Sequence, residues 1–93
     1  MVTKEIGQTW TSVGNAGVVF QNSSNYKIEL INQDTNTAPT EKTKGLTVLP
    51  YGTFKVPDSG YTFCRCKVCP IVLREDVFKI SGGINEVDSA ANP

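Results

Sequence analysis

The chain has 93 residues, nine basic and nine acidic side chains that cancel, and no histidine. That length makes one domain, which buries only about 60–65% of its unfolded surface, so support from neighbouring subunits is a natural expectation. The balanced, dispersed charge leaves no basic stripe to displace counterions from a phosphate backbone, which argues against nucleic acid as a partner. Without histidine the chain also lacks the side chain best suited to proton transfer near neutral pH and the commonest metal ligand. No enzyme chemistry and no cofactor are expected.

Apolar runs are a handful of residues long, far short of the ~20 that cross a bilayer, and no ~7–15-residue apolar segment follows the N-terminal charges. No membrane partner is expected, and synthesis in the cytoplasm is. The three cysteines, an odd number in one short segment, do not form the spaced even set of a secreted disulfide framework.

Taken in order, Met1 to Gln8 is polar and mixed, an arm or short edge strand leading into Trp10. Trp10 to Asn32, WTSVGNAGVVFQNSSNYKIELIN, reads as strand, glycine turn, strand, polar turn, strand, and so as the opening meander of an antiparallel sheet. Gly14 and Gly17 bracket a turn that tolerates positive φ, and Asn22-Ser23-Ser24-Asn25 forms a turn through side chains that bond their own backbone. Alternation places Tyr26, Ile28 and Leu30 on a core face with Trp10 and Phe20, and Lys27 and Glu29 toward water.

Asn32 to Lys44 is polar throughout and interrupted by Pro39. At about 13 residues it exceeds the usual connection, and such loops tend to be functional or disordered. Its simplest reading is a solvated loop; the alternative is a contact surface made by Asp34, Thr37, Pro39, Glu41, Lys42 and Lys44. Extended structure resumes at Leu46–Leu49, turns at Pro50-Tyr51-Gly52, and continues through Phe54–Val56, Tyr61–Cys66 and Ile71–Arg74. A charged turn at Glu75-Asp76 then precedes a further strand at Val77–Ile80. Seven or eight short strands without a helical period predict an all-β antiparallel sandwich or small barrel over 1–80. The segment 81–93 reads as a tail.

Cys64, Cys66 and Cys69, in CRCKVC, are the one local pattern with a chemical reading. Structural zinc wants four ligands, and three thiols without histidine fall short. A C-x-x-C redox pair works at a helix N-terminus, and none is predicted. Buried thiols packed as small hydrophobes are the preferred reading, with metal ligation by these three the alternative. The aromatic residues, one per strand, are read as core.

The succession W-T-x-V, G-V-V-F-Q-N-S-S-N, Y-K-I-E-L, polar loop, G-L-x-V-L and T-F-K-V resembles small all-β structural proteins of tailed-phage virions. The resemblance spans Trp10 to Cys66, and CRCKVC departs from the pattern. It implies a decoration or cement protein that binds and stabilises a phage capsid. The alternative is a tail, neck or fibre-tip module contacting the host surface or other tail proteins. It further implies the major capsid protein or other virion proteins as partners, a homo-oligomer with a trimer favoured, and location in the virion.

Overall fold

Each strand of the protein is short because turn-forming residues interrupt every β-branched or aromatic run within a few positions. In a computed structural model, which describes residues 2–75, eight strands form: β1 (Thr3–Ile6), β2 (Thr11–Ser12), β3 (Val19–Asn22), β4 (Ile28–Gln33), β5 (Leu46–Val48), β6 (Thr53–Lys55), β7 (Tyr61–Arg65) and β8 (Ile71–Glu75). They make two four-stranded antiparallel sheets, ordered β1-β8-β3-β6 and β2-β7-β4-β5. The all-β sandwich expected from the sequence is thus present, as two open sheets and not a closed barrel. The expected strand at Val77–Ile80 and the tail 81–93 lie outside the described residues. Glu75 lies in β8, and Asp76, its partner in the expected turn, is outside the described residues.

The opening meander is a correction. β2, β3 and β4 do follow one another along the chain, but β2 and β4 belong to one sheet and β3 to the other. Pairing is nested instead: β1 with β8, β2 with β7, β3 with β6 and β4 with β5, with β3–β8 and β4–β7 closing the two sheets. This is the strand order of a jelly roll, in which a long antiparallel ribbon is folded over on itself. The Gly14–Gly17 turn carries β2 across to β3 with positive φ at Gly14, Asn15 and Gly17, and it serves as a corner between sheets.

The inner faces meet in a core of Ile6, Val13, Phe20, Ile28, Val56, Cys64, Cys66, Ile71 and Leu73. Phe20 lies opposite Phe54 in the ladder, their rings 6.0 Å apart and tilted, a favourable aromatic arrangement. Phe20 and Ile28 are buried in the core as expected and Leu30 partly so; Trp10 is buried too, but outside this core cluster and against the 34–45 connection, and Tyr26 is 42% exposed. Tyr26 sits in the bend before β4, where strand alternation does not apply.

Candidate functional site

The register of β4 on β7 sets Glu29 opposite Arg65, Leu30 opposite Cys64 and Ile31 opposite Phe63. Directly opposed residues share a face, so Leu30 and Cys64 turn inward while Glu29 and Arg65 turn outward, together with Ile31 and Phe63. Arg65 is nonetheless only 2% exposed, because the connection between β4 and β5 folds over this outer face.

Arg65 holds that connection. Its Nε donates to Glu29 Oε1 at 2.7 Å, while Nη1 donates to the Glu41 carbonyl at 3.0 Å and Nη2 to the Thr43 carbonyl at 2.7 Å. Its Cζ stands 4.3 Å from the centre of the Trp10 ring, within cation–π range. Trp10 Nε1 donates to the Thr40 carbonyl at 3.1 Å, so three successive anchor points on the loop are bonded from below. A guanidinium suits this role because its planar fork presents several donors in fixed directions, which an ammonium does not. At the loop's end the Gly45 amide donates to Glu29 Oε2 at 3.4 Å. The chain passes so close there that a Cβ on Gly45 would lie 2.5 Å from the Leu30 carbonyl oxygen and 3.1 Å from the Trp10 ring.

The electrostatics follow from the same contacts. Burial pushes the Glu29 carboxyl up. The Arg65 hydrogen bond, the Gly45 amide and the charges of Arg65 and Lys67 outweigh that and hold it below the usual value. Glu29 is therefore an ionised structural carboxylate, with the Lys67 ammonium at 3.9 Å.

With its carbonyls turned inward, the loop presents its side chains to solvent. Asp34, Thr37, Glu41, Lys42 and Lys44 are exposed and Pro39 is half-buried. Pro39, Glu41 and Lys42 join Gln8, Trp10 and Arg65 around a surface cleft of about 590 Å³. Lys44 faces a different cleft, shared with Leu46 and Lys55. Asp34 and Thr37 line neither; there the Gln33 amide spans the bend by donating to the Thr35 and Thr37 carbonyls. Of the six loop residues named from the sequence, Pro39, Glu41 and Lys42 border this cleft, and the residues that hold the loop, Trp10, Glu29 and Arg65, were not among them. The available signal was that Arg65 sits between two cysteines that turn inward, so alternation turns it outward, onto a sheet face that also carries Trp10.

The cysteines lie elsewhere. Cys64 and Cys66 are fully buried in the core and Cys69 is half-buried against it, all three as free thiols. Burial pushes the Cys64 thiol up to about 12, which keeps it protonated and unreactive at neutral pH. Among the described residues, no group of three histidine, cysteine or carboxylate side chains is arranged to hold a metal ion.

No family model, no curated protein and no solved structure matches this chain.

Proposed function

We propose that the protein is a non-catalytic structural binding domain whose contact surface is the loop from Asp34 to Lys44. The observation that carries this reading is the Arg65–Trp10–Glu29 clamp: a polar connection of this length is held in one shape, with its backbone bonded inward and Glu41 and Lys42 directed outward. A contact loop ordered before binding loses less conformational entropy on binding.

The proposed setting is the virion of a tailed phage, as a decoration or cement protein seated on the major capsid protein and acting as a homo-oligomer. Two things support that setting: the resemblance of Trp10 to Cys66 to such proteins, and the jelly-roll strand order, an architecture that capsid domains use. The second is an analogy of fold, since lectin and cupin domains share it.

The test is binding of the purified protein to assembled capsids that lack it, against binding to isolated capsid subunits. The expected result is tight binding to the assembled particle alone, weakened at least tenfold by Glu41→Ala combined with Lys42→Ala. Equal binding to particles and free subunits, or indifference to the loop substitutions, would sink the reading.

A further inference from the structure

Seven large apolar side chains are exposed among the described residues; Leu46, Tyr61 and Val72 lie in strands, and the other four lie in loops. Tyr26, Leu49, Tyr51 and Val68 are all exposed, and all lie in the loops β3–β4, β5–β6 and β7–β8. These loops gather at one end of the sandwich: Ile6 pairs with Ile71 and Asn22 with Leu73 there, and the Asn22 amide donates to the Gly52 carbonyl. Tyr61, opposite Gln33, marks the far end.

Asn22 locks two of these loops together. Its side chain is fully buried and donates to the Tyr26 carbonyl at 2.7 Å and the Leu49 carbonyl at 3.2 Å, while its Oδ1 accepts from Ser24 Oγ at 2.6 Å. Tyr51 N–H donates to the Asn22 carbonyl, and Gln21 Nε2 donates to that of Tyr51. Held in this way, Tyr51 adopts φ 61°, a left-handed conformation that a bulky residue rarely takes. A glycine would meet every one of those backbone bonds without strain. Among the described residues the phenol reaches only the Asn25 Oδ1, at 2.9 Å, and the side chain is 56% exposed. Neither backbone geometry nor core packing accounts for an aromatic residue here, and strain of this kind gathers where a side chain is held for a ligand or partner.

The surrounding composition indicates which. Ser23-Ser24-Asn25-Tyr26-Lys27 and Leu49-Pro50-Tyr51-Gly52 combine rigid tyrosines with small adaptable polar residues, the chemistry of loops that bind protein surfaces. Lys27, and Lys67 in the β7–β8 loop, are the charged residues of the three loops, and both are basic.

We infer that this end is a second protein-docking surface, in which Tyr51 inserts into an apolar pocket of a different protein whose rim is neutral or acidic. Tyr51 lies outside the cleft bordered by Pro39, Glu41 and Lys42, although the β7–β8 loop borders that cleft through Lys67, and the test of Tyr51 does not depend on the virion setting. The photo-reactive p-benzoylphenylalanine is placed at position 51 of the full chain in the cells that naturally make it, and the cross-linked peptide is identified after irradiation. The protein so identified is then purified and titrated against the wild-type chain and Tyr51→Gly. The expected result is one defined peptide of another protein and at least tenfold weaker binding by the glycine variant, with a melting temperature equal to or above wild type.

A cross-link to a second copy of this chain, or no defined cross-link, overturns the inference. So does unchanged affinity of the variant. A lower melting temperature would show that Tyr51 is kept for the fold, and Tyr51-dependent binding of neutral oligosaccharides without a protein cross-link would reassign the surface to carbohydrate.

Discussion

Between the two sheets, Phe20, Ile28, Leu73 and their neighbours are buried by one another, and any side chain of similar shape would serve. On the outer face of the β2-β7-β4-β5 sheet, Trp10 and Arg65 are buried as well, but under a polar loop, through bonds with fixed donors, acceptors and directions. Apolar burial is non-directional and scales with area. A buried guanidinium is tolerated only while its partners are in place, because stripping it from water costs on the order of several kcal/mol and must be offset by good geometry. The core therefore determines whether the chain folds, and the clamp determines which shape one loop takes once it has.

Substitutions can separate these two roles. Phe20→Ala, at a fully buried position facing Phe54, is expected to cost about 3–5 kcal/mol and to lower the cooperative unfolding midpoint in denaturant. Arg65→Ala removes the donor to Glu29 Oε1 and to the Glu41 and Thr43 carbonyls. The expected cost is about 2–4 kcal/mol, toward the lower part of the range for a broken buried pair because the Glu29 side chain keeps 21% exposure. Its distinguishing sign is faster proteolysis within the 34–45 connection under native conditions, which Phe20→Ala should not produce at matched stability. Arg65→Lys keeps the charge without the fork and should recover little of the loop protection. If both arginine variants leave cleavage of the loop unchanged, the clamp does not hold it.

Gly45→Ala is smaller. A Cβ set 2.5 Å from the Leu30 carbonyl oxygen forces the β4–β5 backbones apart, at about 1–3 kcal/mol, measured by chemical denaturation and by amide exchange at Leu30 and Leu46. The least effect comes from pH. The folded state lowers the Glu29 pKa, so the carboxylate contributes stability above its ordinary value of 4.5, and that contribution is lost as pH falls through the lower, folded value. A melting temperature followed from pH 6 into this acid range should fall less steeply in Glu29→Gln than in wild type.

The local parts of the fold were readable because they depend on neighbouring residues. Alternation found β3, β4 and β7, and the glycine and asparagine turns fell where the chain bends. What the sequence hid was which strand lies beside which. Val18-Val19-Phe20-Gln21 has the same alternation whether its partner is the next strand along or Ile71–Glu75, so adjacency in sequence suggested a meander where the chain crosses between sheets. Arg65 was hidden for a related reason. A charged residue on an outward strand position is ordinarily solvated, and only the long-range return of the 34–45 loop makes it an interior group. Tyr26 shows the converse, since an apolar alternation extended one residue pair too far placed in the core a ring that the Asn22 turn holds outside.

The nesting of the strands also governs how the chain reaches its folded state. β8 lies between β1 and β3, and β7 between β2 and β4, so the last strands described occupy the centres of both sheets. The bond from the Val2 amide to the Glu75 carboxylate spans 73 residues. The β2-β7-β4-β5 sheet cannot be completed until the chain through Arg65 has been synthesised, nor the β1-β8-β3-β6 sheet until Glu75, and much of the loop-closure entropy is lost before the ladders that offset it exist. Folding in milliseconds to seconds, typical of all-β chains with such distant pairings, is expected, with the early strands waiting unpaired on the ribosome until their partners emerge.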